Sequence, residues 1–214
     1  MGKQLLVAPR GELMWAKVLR PGIANKGKPD EKEQWSVDLL LAKADAEAQK
    51  FIQSLKQQFL DAHGSASRPG PNGLPWRTFL NEQGDETDIW QISFKRNVRT
   101  SRGAELAPPV VQDARGTLWP SDVLIGNGSV GKVAFDIWSW SNPEGGKGVS
   151  LNLHGVRVLH LVEYAPPDAS EAFGDAEDGY VLTGNEPKVQ PAGAQPAAAL
   201  KEPDWGGSEE EVPF

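Results

Sequence analysis

The sequence predicts a mainly β domain, a small OB-like barrel of five strands with one helix and long loops, followed by a disordered acidic tail. Three observations carry this. Apolar residues alternate with period two in several stretches before Tyr164, the pattern of half-buried strands. One stretch, 44–63, changes to a helical period. From Pro166 onward the composition turns to Pro, Ala, Gly, Gln and acids, most plainly at 190–199. Too little apolar surface remains there to offset the entropy of ordering the chain. The domain is therefore drawn at 1–165 and the tail at 166–214.

Taken in order, Glu12 to Arg20 is the first long strand. In Glu33 to Ala42, Trp35, Val37, Leu39 and Leu41 share a face opposite Ser36 and Asp38, which makes a strand leading into the helix. The helix places Ala48, Phe51, Ile52, Leu55 and Phe59 on one side, with Asp45 as N-cap and Gly64 just past its end. In Thr87 to Val98 the even positions Trp90, Ile92, Phe94 and Val98 face the core, and Gln91, Ser93, Lys95 and Asn97 face water. In Gly131 to Trp140, Val133, Phe135 and Ile137 point inward, leaving Lys132, Asp136, Trp138 and Trp140 on the other face. The last strand, Lys147 to Tyr164, holds Val149, Leu151 and Leu153 in one phase and Val156, Val158, Val162 and Tyr164 in the other. Gly155 therefore marks a bulge, the device that bends strands around barrel corners. Five long strands, one helix and Gly/Pro-rich connections are the inventory of the OB-fold. The connections 65–75 and 99–120 are the expected contact loops.

A chain of 214 residues holds one ordinary domain and an appendage. It has no cysteine, which excludes disulfides and thiolate zinc sites. No apolar run approaches the roughly 18 residues of a membrane span, and 1–10 lacks a signal-like stretch, so the expectation is a soluble intracellular protein. The net charge of −7 is unevenly placed. Pro166 to Phe214 carries 11 acids against Lys188 and Lys201, a net −9, while Met1 to Ala165 carries 20 basic and 18 acidic residues, a net +2. An acidic tail on a slightly basic body is a sign of a domain that handles polyanions.

Gly126-Asn127-Gly128-Ser129-Val130-Gly131 spells the glycine pattern of a dinucleotide-binding turn. That turn works only where a helix follows, and here strand residues 132–140 follow, so a glycine-rich turn or bulge is expected. His63, His154 and His160 lack metal-ligand spacing, and Asp85, Glu86 and Asp88 crowd a turn beside Gly84. No cofactor, metal or catalytic residue is therefore assigned.

Gly11-Glu12-Leu13-Met14-Trp15-Ala16-Lys17-Val18, then Trp35-Ser36-Val37-Asp38-Leu39-Leu40-Leu41 running into a helix, then Ile125-Gly126-Asn127-Gly128-Ser129 opening a strand, make a pattern similar to tailed-phage single-stranded DNA-binding proteins. Glu209-Glu210-Glu211-Val212-Pro213-Phe214, after Asp204-Trp205-Gly206, resembles the acidic tip of bacterial single-stranded DNA-binding proteins. The resemblance implies an OB-fold that coats single strands without sequence preference in phage DNA replication, recombination and repair, within the cytoplasm of a bacterial host. It also implies a tail that docks on polymerases, helicases, primases or recombinases through Asp204, Glu209, Glu210, Glu211, Val212, Pro213 and Phe214. The linker is long for the phage family, and whether the protein forms a homodimer stays open.

Binding of single strands without sequence preference needs cations for phosphates and aromatic faces for bases. The candidate cations are Lys17, Lys95, Arg99, Arg102, Arg115 and Lys132, and the candidate stacking rings are Trp119, Trp138 and Trp140. Trp35 and Trp90 belong to the core by phase, and Arg96 points with the buried set, as a structural member of an ion pair. Two other classes remain open: a small metal-dependent nuclease whose carboxylates converge only in the fold, and an adaptor for which DNA is incidental. Magnesium-dependent loss of a labelled strand would mark the first. Failure of an oligonucleotide to quench tryptophan fluorescence would mark the second.

Overall fold

The computed structural model describes residues 5–143 and 146–164, so the tail at 166–214 lies outside the described residues. The elements in order are β1 (Leu6–Val7), β2 (Gly11–Ala24), β3 (Lys32–Ala42), α1 (Ala46–His63), β4 (Trp76–Leu80), β5 (Glu86–Asn97), β6 (Val110–Gln112), β7 (Ser129–Asn142) and β8 (Gly146–His160). Five of them, β2, β3, β5, β8 and β7, pair in that order, and β7 returns to β2 to close a ring. All ring pairs are antiparallel except β5–β8, which runs parallel through Phe94↔Leu151 and Lys95↔Asn152. β4 lies outside β5, β6 alongside β8 and β1 alongside β7.

Alternation fills the barrel. Leu13, Val37, Leu39, Ile92, Phe94, Val133 and Phe135 are each 0% exposed, one phase from each of four strands. α1 turns Ala48, Ile52, Leu55 and Phe59 inward, and Phe51 meets Phe135 edge-on at 5.8 Å between ring centres. Asp45 caps α1 by accepting the backbone N–H groups of Glu47 and Ala48 at 2.6 and 3.2 Å. Gly64 ends the helix at φ 89°, a left-handed conformation suited to glycine. The His63 ring then reaches the Gly148 carbonyl at 3.0 Å and ties the helix end to β8.

Two bulges set the faces that matter. In β8, Gly155 pairs with Ala134 and Leu153 with Phe135, so His154 is the extra residue. Burial accordingly changes phase from Leu151 and Leu153 to Val156 and Val158, at the place where the sequence predicts a shift. In β2 the pairing with β3 slips between Met14 and Lys17. Trp15 lies within that slip at φ 49°, and its N–H donates to the Asn127 side chain at 2.7 Å. The glycine pattern at 126–131 is a turn feeding β7, with Gly128 at φ 90°.

The structure corrects some expectations of burial. Gln91 is 3% exposed rather than wet, because β4 covers that side of β5 and the Gln91 amide is taken up by Arg77 and Asp38. Asp136 is 4% exposed rather than open, gathered with Asn152 and His154 from β8. β8 stops at His160, and Val162 and Tyr164 are 40% and 52% exposed. The chain there turns away to pair with the 124–126 segment. β1, β4 and β6 have two to five residues each, too short for a periodic signal.

Candidate nucleic-acid interface

Where one face of a strand packs the barrel, the other is offered to solvent, and outward residues of β2, β3, β5, β7 and β8 together make a surface of polar side chains and indole rings. Two adjoining hollows lie on it, of about 580 and 710 Å³, sharing Gln34, Lys95 and Ser150. The floor is Gln34, Ser36 and Asp38 from β3, Ser93, Lys95 and Asn97 from β5, and Ser150 and Asn152 from β8. One wall is the glycine- and proline-rich segment 69–75 with Trp76 and Arg77 of β4; the other is Trp138 and Trp140 of β7. Trp15 and Lys17 of β2 close one end.

The wall at 69–75 is held in place by backbone bonds. Gly70 donates to the Lys147 carbonyl at 2.9 Å, and Val149 donates to the Gly73 carbonyl at 2.8 Å. The Lys147 ammonium adds a bond to the Ser67 hydroxyl at 2.9 Å. On the opposite wall the Trp140 indole N–H donates to the Ser150 hydroxyl at 3.0 Å, and its ring covers Gly148. Trp138 is 56% exposed and Trp15 48%. Such surface on large rings is what stacking on bases requires.

Of the residues singled out in the sequence, Lys17, Lys95, Trp138 and Trp140 line this groove. Lys132 sits further along the outward face of β7, opposite Arg157, in a separate hollow with Leu5, Val7 and Val110. Arg99 pairs with Glu105 at 3.6 Å, both well exposed, in the loop after β5, and Arg102 lies at the tip of that loop. Arg115 belongs to a tight turn organised by the Asp113 carboxylate. The Thr117 backbone N–H, and with it that of Arg115, holds the Asp113 carboxyl below its usual range. Trp119 packs against the core and donates its indole N–H to the Val123 carbonyl at 2.9 Å, so its ring is outside the groove. Trp35 is buried and Trp90 is half-buried against the core. Arg96 is structural through carbonyls rather than an ion pair, donating to Ala107 at 2.9 Å and Leu153 at 3.5 Å. The tip residues Asp204, Glu209, Glu210, Glu211, Val212, Pro213 and Phe214 lie outside the described residues.

Several solved structures superpose on this architecture. The single-stranded DNA-binding protein gp2.5 of bacteriophage T7 superposes with a TM-score of 0.59 at 20% identity, covering 85% of this chain and 100% of its own. The fold is that of phage single-stranded DNA-binding proteins. That of bacteriophage Enc34, solved in complex with single-stranded DNA, superposes with a TM-score of 0.54 at 17% identity, over 76% of this chain and 88% of its own. Its C-terminally truncated form gives 0.54 at 18%, over 73% and 85%. No protein-family model and no curated protein matches the sequence.

Within that fold, the groove contains residues that alternation alone does not reveal. Trp15 has the parity of buried Leu13 and turns outward only because of the β2 bulge. Trp76 and Arg77 depend on β4, which forms a hairpin with β5 but at five residues is too short to show a period. Among the described residues no three acidic or histidine side chains gather in a way that could hold a metal ion.

Proposed function

We propose that this chain is a sequence-nonspecific single-stranded DNA-binding protein of a bacteriophage, serving DNA replication, recombination and repair. One observation carries the reading: Trp15, Trp76, Trp138 and Trp140 stand around a groove that also holds Lys17 and Lys95. Every base has a π-face, so the indoles accept any sequence, with roughly 1 to 3 kcal/mol per stacked base. The lysines replace counterions on phosphates, and the hydroxyls and amides of the floor can both donate and accept, so no single base is favoured. The Enc34 protein of the same fold was solved with single-stranded DNA, which supports the reading.

Titration with a dT oligomer at two salt concentrations tests it. Tryptophan fluorescence should be quenched, and the affinity should fall with salt at about −0.7 in log–log slope per phosphate neutralised. Absence of quenching at low salt would refute the reading. The tail is proposed to recruit replication and recombination proteins through Glu209 to Phe214, an acidic run ending in an aromatic ring. Deletion of Phe214 should abolish binding to a purified replicative polymerase, helicase or recombinase while leaving DNA affinity unchanged.

A further inference from the structure

A carboxylate on the floor of a groove that receives phosphates calls for an explanation, and the residues around Asp38 supply one. Asp38 of β3 accepts a short hydrogen bond from the side-chain N–H of Gln91 of β5. The Gln91 carbonyl in turn accepts from Nε of Arg77 of β4 at 3.1 Å. Arg77 and Gln91 are direct cross-strand partners, and Gln91 is diagonal to Asp38, so the three side chains run in a line across three strands. Gln91 is 3% exposed, with an amide that can take only one orientation: its nitrogen must face the acid and its oxygen the guanidinium. Hydrogen bonds aligned head to tail in this way polarise one another. The carboxylate thereby acts through the amide on Arg77, which is exposed on the groove wall next to Trp76.

We propose that Arg77 is a phosphate clamp of the groove, and that buried Gln91, backed by Asp38, is the positioning residue that aims it. The proposal rests on the single-stranded DNA reading and names a binding group within it. The Nε bond to Gln91 fixes the guanidinium plane and leaves the two terminal NH2 groups of the fork for a phosphate, which Arg binds through two parallel N–H bonds. A lysine on a flexible stem holds a phosphate as a point charge only. The chemistry recognised is the sugar-phosphate backbone, so the clamp should work equally on dT and dC oligomers.

Four forms of the full chain test this: unaltered, Arg77→Ala, Arg77→Lys and Gln91→Met, with the Arg77→Ala/Gln91→Met double variant closing a cycle. Arg77→Ala leaves the buried Gln91 carbonyl without its partner and should lower the melting point by a few degrees, so binding is compared well below the transition of every variant. Arg77→Ala should weaken dT binding several-fold at low salt and flatten the salt slope by about 0.7, one phosphate. Arg77→Lys should keep the slope yet lose affinity, because the charge remains and the fork does not. Gln91→Met should lose affinity with the slope kept, and the double variant should bind no worse than Arg77→Ala. An unchanged slope in Arg77→Ala would overturn the clamp. Full affinity in Arg77→Lys, or strictly additive losses in the cycle, would overturn the positioning role. A loss confined to one base in homopolymer comparisons would show base reading instead of a backbone clamp. Should the unaltered chain fail to bind any oligomer, the function itself falls, a result distinct from all of these.

Discussion

Gly148→Ala is the smallest change that reaches the groove from inside the fold. A methyl built at Gly148 would lie 2.3 and 2.6 Å from two carbons of the Trp140 ring and 2.7 Å from the Gly73 Cα. Neither neighbour is free to give way. The Trp140 indole is bonded to Ser150, and Gly73 is bonded through its carbonyl to Val149. Either the ring leaves Gly148 or the 70–73 wall lifts. Overpacking of this kind costs roughly 1 to 3 kcal/mol, and loss of the Trp140–Ser150 bond adds about 1 kcal/mol. For a domain of this size each kcal/mol lowers the midpoint by roughly 2 to 4 °C, so calorimetry should show a fall of several degrees. If Trp140 stacks on a base, its displacement should also weaken DNA binding by about 1 to 3 kcal/mol, or roughly 5- to 150-fold by fluorescence titration. Trp140→Ala on the same background should recover the stability lost to the ring clash without restoring affinity. A Gly148→Ala protein that melts and binds like its parent would refute the placement of the ring over Gly148.

Three further outcomes can be checked on the same preparation. Changing Lys17 and Lys95 together to Ala should flatten the salt slope by about 1.4, two phosphates, with little change in melting; an unchanged slope would put the phosphates elsewhere. Trp138→Ala should weaken binding by roughly 1 to 3 kcal/mol with the salt slope kept, and normal affinity in that variant would remove this ring from the interface. Asp45→Ala removes the cap from α1 and should cost about 1 kcal/mol in urea unfolding without altering DNA affinity; an equal loss of both would mean that the helix shapes the groove.

Alternation made the barrel legible, because a side-chain period of two divides core from surface wherever a strand is long and unbroken. Trp138, Trp140 and Lys95 could be placed on outward faces for that reason, and Asp45 and Gly64 marked the helix ends by their own chemistry. Parity fails where the strand itself is irregular, and Trp15 was hidden by its bulge. It fails again where a residue's surroundings come from another strand, even the next one along the chain. Gln91 reads as a wet position on β5, and only β4 makes it a buried link between Arg77 and Asp38. Parity also does not say how far along a face a residue lies: Lys132 shares the outward side of β7 with Trp138 yet opens into a different hollow.

The parallel contact between β5 and β8 has a bearing on how the protein responds to its ligand. The barrel is joined there by two residue pairs, whereas β7 and β8 pair along nearly their full length. With so few paired residues this seam, like the three-pair contact of β2 with β7, should open more readily than the β7–β8 pairing, and its amides should exchange with solvent ahead of those between β7 and β8. Lys95 and Asn152 face each other across it, and both line the groove. A bound DNA strand touching both would act as a staple on a short joint of the barrel. Binding confined to the closed form adds about 2.7 kcal/mol of stability at a free ligand concentration 100 times Kd. Slowed exchange at Lys95 and Asn152 on adding oligonucleotide would locate that gain at the seam.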